Sequence, residues 1–188
     1  MLFRRAQCDD FEQIVALQNQ HLLTAIDQSD LANGFLATAY TVEQLMTMNR
    51  DMCVVVCEQD QLIRGYLGSC NLQFFQQFPV VSAMLCRLDT LMYRGQPLDL
   101  SRLYVANPVC IDAAYRGQGV YLALCQKLFE YLPKQYDIAV TLIPVENKRS
   151  LAATTRLGFE VVDQFNVNGH QFHTMLISMQ DFERQCGA

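Results

Sequence analysis

The chain has 188 residues, a formal net charge of −5 and 51% hydrophobic residues. That length suits a single domain, residues 1–188, with a real core, since folding a chain of about 150 residues buries roughly 70% of its surface. The acidic balance and the absence of any Lys/Arg run argue against a nucleic-acid partner, and no apolar run nears the ~20 residues of a membrane span.

Leu2 to Ala6 reads as a strand. Asp9 or Asp10 then caps a helix to about Leu23, with Phe11, Ile14, Val15, Leu17 and Leu22 on its apolar side. Residues 1–23 lack an uninterrupted apolar core, so no secretory signal is expected. Residues 24–40 give no clear period. Thr41 caps a short helix to about Asn49, with Glu43 and Gln44 in its first turn. Strands at 52–58 and 62–70 flank the polar turn Glu58-Gln59-Asp60-Gln61 and make a hairpin. Residues 71–99 form an insertion, with a helix over Val80–Met92 and a loop over Tyr93–Pro97. Two readings stay open for it: a helix packed on the sheet, or a lid walled by Phe74, Phe75 and Phe78.

Leu103 to Ile111 is a strand interrupted by Pro108, which lacks an N–H and suggests a bulge after Asn107. Tyr121 to Leu132 repeats apolar residues at helical spacing. Ile138–Ile143 is a strand, and Asn147–Phe159 is a short helix closed by Gly158. Strands at Phe159–Val167 and Gln171–Met179 meet at Asn168-Gly169, a two-residue hairpin turn. Gln180–Ala188 ends in one helical turn.

Eight cysteines, at 8, 53, 57, 70, 86, 110, 125 and 186, lie mostly in apolar segments. No CxxC pair occurs and the three histidines do not join them at zinc spacing, so reduced core thiols of a cytoplasmic protein are expected, with no metal.

The loop between strand and helix, Arg116-Gly117-Gln118-Gly119-Val120, carries the chemistry. A helix N-terminus presents unpaired N–H groups and partial positive charge. Glycines allow close backbone approach, and Arg116 adds a permanent cation, so the loop suits a pyrophosphate. Taken alone, the same residues also fit a bare strand-to-helix turn. No Lys-Ser/Thr pair follows the second glycine, so this is not a P-loop, and a dinucleotide fingerprint would need glycine at Leu122.

Together, the Arg-Gly-x-Gly-Val turn and the downstream Asn147-x-x-Ser150…Arg156-Leu157-Gly158-Phe159 helix resemble the GNAT superfamily of acyl-CoA N-acyltransferases. The resemblance covers Tyr104 to about Met179, with a weaker likeness at Phe3–Asp10. It implies an α/β fold: a mixed, mostly antiparallel sheet with splayed middle strands, flanked by helices. It implies acetyl transfer from acetyl-CoA to a primary amine, of a small molecule, peptide or protein, by direct attack without an acyl-enzyme. By the same resemblance, backbone groups of Val109, Cys110 and Ile111 pair with the pantetheine arm. Residues Arg116 to Tyr121 (Arg116, Gly117, Gln118, Gly119, Val120 and Tyr121) cradle the pyrophosphate, and Asn147 and Ser150 touch the cofactor from the later helix. The N–H of Cys110 or Ile111 would polarise the acetyl carbonyl. Small members often pair, which leaves a homodimer open.

Three positions depart from the family. Tyr121 stands where many members have Gly or Ala, Ala113 where many have Pro, and Thr154 where many have the tyrosine that protonates the CoA thiolate. Threonine is too weak an acid for that task near neutral pH. Water, Tyr115 or Tyr121 remain as proton sources. No general base stands out: Asp112 reads as a strand-end residue, His170 as a turn residue, and His173 and His21 as candidates near the acceptor. Cys110 has no neighbouring base in sequence and is no nucleophile. Two other readings remain: a non-catalytic acyl-CoA-binding or regulatory module, and a nucleotide site on an α/β sheet.

Overall fold

The computed structural model describes residues 1–186, Gln28 and Asp30 by their backbone alone. The described chain forms two compact units, one of Met1–Cys70 with Ala106–Leu132, the other of Asn71–Val105 with the chain from Pro133 on.

In the first unit β1 (Leu2–Arg5) runs antiparallel to β2 (Cys53–Gln59), with Leu2 opposite Glu58 and Arg5 opposite Val55. β2 pairs in turn with β3 (Leu62–Cys70) across a tight turn. Asp60 and Gln61 take positive φ there, of 55° and 62°, as a two-residue hairpin requires. Cys53–Cys57 is buried throughout, because helices cover both faces of a strand with no polar side chain to present. Helix α1 (Phe11–Asn19) packs on β3, α2 (Val42–Asp51) on β2 and β3, and α5 (Val120–Tyr131) on β1, β2 and β3. Thr41 caps α2 as expected: its hydroxyl accepts from the Gln44 amide at 3.2 Å, and the Gln44 side chain accepts from the Thr41 amide at 2.9 Å.

Two features were not legible beforehand. Asp10 accepts a two-pronged bond from Arg4 (2.6 and 2.9 Å), and Arg4 also reaches Glu58 at 2.7 Å, tying β1 to β2 and to the start of α1. And α1 stops at Asn19 rather than near Leu23. Leu22 leaves the helix to bridge Leu36, with His21 C=O accepting from the Leu36 amide at 2.8 Å and Leu36 C=O from the Leu23 amide at 2.9 Å. The apolar pair that extends the helical period belongs to this bridge.

The second unit opens with the insertion. Asn71 caps a one-turn helix, α3 (Leu72–Phe75), and Pro79 starts α4 (Pro79–Leu88). α4 ends four residues before the expected Met92. Met92–Tyr93 (β4) and Gln96–Pro97 (β5) form instead a small hairpin turned by Arg94-Gly95. β6 (Leu103–Ile111) begins in this unit, and its parallel ladder with β7 (Ile138–Pro144) has three pairs, Leu103 opposite Ile138 to Val105 opposite Val140. β7 continues antiparallel to β9 (His170–Ser178), and β9 to β8 (Glu160–Val167) across Asn168-Gly169, whose φ angles of 52° and 84° fit the expected turn. α6 (Lys148–Arg156) follows β7, and α7 (Met179–Cys186) follows β9 with two turns where one was expected. Gly187 and Ala188, the end of that expected turn, lie outside the described residues.

The hydrogen-bonded strand order is β1-β2-β3-β6-β7-β9-β8. This is the mixed, mostly antiparallel sheet flanked by helices that the sequence leads one to expect. No helix among the described residues is long and apolar enough to cross a membrane.

Candidate functional site

Between β6 and α5 the chain makes a short 3-10 turn, Ala113–Tyr115, and then the glycine loop. Asp112 builds the turn. Its carboxylate accepts from the Ala114 amide at 3.0 Å, its C=O from the Tyr115 amide at 2.9 Å, and its own amide donates to Arg64 C=O at 2.8 Å. Arg64 pairs with the same carboxylate at 3.3 Å and lays its guanidinium over the Tyr115 ring, 5.3 Å from the centroid. Gln118 folds back to Ala114 C=O at 2.8 Å. Asp112, read in the sequence as a strand-end residue, thus shapes the loop, and Tyr115, weighed as a proton source, stacks its ring against Arg64.

Gly117 and Gly119 both have φ near +78°, and a Cβ built on either meets no atom within 4 Å. Residues 117–119 are exposed, while Val120 is buried and fixes the helix start. The first i→i−4 bond closed at this end of α5 runs from the Ala123 amide to Gly119 C=O, at 3.1 Å. No acidic residue sits in the first turn. Open space beside two left-handed glycines, at the positive end of a twelve-residue helix, is a surface onto which an anion can close.

Arg116 turns three donors onto the protein itself. Its Nε donates to Ile111 C=O at 2.9 Å, Nη1 to Asn33 C=O at 2.7 Å, and Nη2 reaches Nδ1 of His21 at 3.2 Å. The sequence assigns this cation to the phosphate; the structure directs these donors into the unit. Half-burial, and secondarily the Arg116 charge, hold the His21 imidazole below the ordinary histidine range, with Asp112 opposing.

Along the outer part of β6, burial alternates. Ala106, Pro108 and Cys110 are buried; Asn107, Val109 and Ile111 are half-buried. β3 comes close here: a Cβ on Gly68 would lie 3.1 Å from Pro108 Cδ, and one on Gly65 would lie 3.3 Å from Cys110 C=O. Burial pushes the Cys110 thiol up to about 12, with the Arg116 charge opposing, so Cys110 stays a neutral core thiol. Tyr121, half-buried, opens the first turn of α5.

The second unit holds the other sequence-derived positions. Asn147, 3% exposed, is the N-cap of α6, its side-chain oxygen accepting from the Ser150 amide at 3.1 Å. Both residues of the Asn-x-x-Ser motif thus shape the helix start. Thr154, where the resembled family has its tyrosine, is 1% exposed. His173 sits on β9 opposite Ile143 and Gln164, with Nδ1 buried and no hydrogen-bond partner among the described residues; His170 is exposed in the turn. The insertion packs within its own unit. Phe75 and Phe78 are core residues, α4 packs on β8, and Arg87 grips Asp163 at 2.5 and 3.0 Å. No group of three or more His, Cys, Asp or Glu among the described residues could hold a metal ion.

Solved structures resemble this chain over most of its length. An N-acetyltransferase of Staphylococcus aureus Mu50 matches with a TM-score of 0.63 at 16% identity, covering 95% of this chain and 98% of its own. The yncA protein of Salmonella typhimurium, solved with its cofactor acetyl-CoA, matches at 0.62 and 15% identity, covering 95% and 94%. An acetyltransferase of the GNAT family from Streptococcus pneumoniae matches at 0.60 and 13%, covering 95% and 98%. No protein-family model matches the sequence, and no curated protein matches it. At such identities the likeness is one of fold: the chain has the fold of these acetyltransferases.

Proposed function

We propose that this chain, folded as the GNAT acetyltransferases are, is an acyl-CoA-dependent N-acyltransferase, with acetyl-CoA as donor and an amine as acceptor. The observation that carries the reading is the loop at the head of α5. Gly117 and Gly119 leave open space beside the amides of Gly117–Val120, where the pyrophosphate of a CoA would seat on backbone donors. The fold likeness, including a neighbour that holds acetyl-CoA, supports this choice over a nucleotide.

Acetyl-CoA supplies an activated thioester, and the acceptor amine attacks its carbonyl directly. Oxyanion charge then develops on the carbonyl oxygen, and a backbone N–H of Cys110 or Ile111 on β6 is the donor to meet it. Collapse expels the CoA thiolate. Thr154 is buried and too weak an acid to protonate it, so water takes that role. His173 and Tyr121 remain the side chains to test for the amine proton.

The burial of Thr154 also favours a second reading, a module that binds acyl-CoA without turning it over. Calorimetry with acetyl-CoA, against ATP and NAD, tests the ligand; micromolar binding of acetyl-CoA alone is expected. Thiol release from acetyl-CoA with a panel of amines then separates enzyme from binder. Equal or better binding of ATP or NAD would refute the acyl-CoA reading.

A further inference from the structure

One side chain joins the anion loop to the segment between α1 and α2. The Arg116 donors end on three pieces of chain: Ile111 at the end of β6, Asn33 at the end of the 3-10 turn Gln28–Asn33, and His21 just past α1. Asn33 and His21 lie 83 and 95 residues earlier in the sequence. The base of this segment is closed by the Leu22–Leu36 bridge and its two backbone bonds, so 21–36 is a loop pinned at its base and again at Asn33. Arginine has no acceptor, so His21 Nδ1 accepts from it and the neutral ring carries its proton on Nε2.

We infer that Arg116 is a positioning residue: it locks loop 21–36 and the Arg116–Val120 anion loop into one arrangement, and protonation of His21 opens one of its grips. This rests on the acyl-CoA reading of the loop. Its consequence is that seating the CoA pyrophosphate and shaping loop 21–36 are a single coupled event. The charged and titratable groups facing His21 are Arg116 and, on the opposing sign, Asp112, itself paired with Arg64; the Cys110 thiol nearby is neutral. An imidazolium at Nδ1 would present an N–H to the guanidinium, replacing a hydrogen bond with two facing donors of like charge.

The test uses the full chain, with acetyl-CoA titrations between about pH 5 and pH 8 and amide hydrogen exchange across 21–36 measured without ligand. Arg116→Met, which keeps the alkyl stem, should raise the exchange in 21–36 and the acetyl-CoA Kd each by about tenfold. Arg116→Lys keeps the charge but cannot hold three directions, so it should behave like the Met variant. The parent protein should lose affinity on acidification, and His21→Asn, whose side-chain oxygen replaces Nδ1 as acceptor, should abolish that loss. Exchange at the parent level in Arg116→Met, or recovery of affinity in Arg116→Lys, overturns the inference and makes Arg116 a direct phosphate ligand. Persistence of the acid step in His21→Asn overturns the His21 part. No acetyl-CoA binding by the parent at any pH defeats the acyl-CoA reading itself, an outcome distinct from the others, and the coupling falls with it.

Discussion

Replacing Gly119 by alanine separates backbone strain from ligand approach, because the molecule contains its own control. Gly95, in the β4–β5 turn, has the same φ of +78° and the same empty surroundings within 4 Å. A side chain in that region costs roughly 1–2 kcal/mol. Loss of glycine's freedom in the unfolded chain offsets about 0.4–1 kcal/mol of it. Each alanine variant should therefore be destabilised by about 1 kcal/mol, or about 2–4 °C in Tm for a chain of this length. Only at Gly119 does the new methyl group stand over amides that await an anion. One lost charge-assisted hydrogen bond is about 1.5–3 kcal/mol, so acetyl-CoA affinity should fall roughly 10- to 150-fold in Gly119→Ala and stay at the parent value in Gly95→Ala. Thermal melts and calorimetry on the two variants read the two effects independently. Parent-level affinity in Gly119→Ala, alongside matched Tm losses, would refute the placement of the phosphate on this loop.

Thr154→Tyr, which introduces the residue usual in the family the sequence resembles, should destabilise the chain through overpacking by about 1–3 kcal/mol, seen as a lower Tm, and bring no gain in thiol release, because position 154 is buried; a faster turnover would show that an acid is what the site lacks. Asn147→Ala should remove the α6 cap at about 1 kcal/mol, seen as a lower denaturant midpoint with an unchanged slope. Burial acts to raise the Asp10 carboxyl, but hydrogen bonds from Arg4 and the Gln7 amide, with the Arg4 charge, bring it below the usual carboxylate value. The resulting stability is present above the unfolded value, about 3.9, and is lost as pH falls through the lower folded value. Asp10→Asn should therefore be less stable at neutral pH and flatten the acid limb of the stability profile; an unaltered acid limb would remove Asp10 from this role.

What could be read from the sequence follows the range of the interactions involved. The β2–β3 and β8–β9 hairpins, the Thr41 cap and the glycine loop rest on residues within a few positions of one another, and each was legible. Pro79 marks the start of α4 in the same way, whereas its end was overrun because Arg94-Gly95 looks like a loop until β4 and β5 are seen to pair. The C-terminus of α1 is not legible because Leu22 answers to Leu36, not to its own helix. Arg116 is the instructive residue of the site. Its place in the motif is local, but two of its partners are distant in sequence, and no pattern of spacing announces them. For Asp112 a local signal did exist, since an aspartate two residues before the Ala114 amide is an Asx turn.

The order in which the two units are threaded bears on synthesis. The first unit is interrupted after Cys70 and resumes at Ala106, so the ribosome makes the stretch Asn71–Val105 before it supplies α5. At about 5–20 residues per second, this detour takes roughly 2–7 s. During that interval the nascent β2–β3 hairpin, with its unbroken Cys53–Cys57 apolar run, has α1 and α2 to pack against but waits for α5. A chain built this way leaves one face of an apolar hairpin uncovered at mid-translation, the stage at which exposed strands are most open to aggregation.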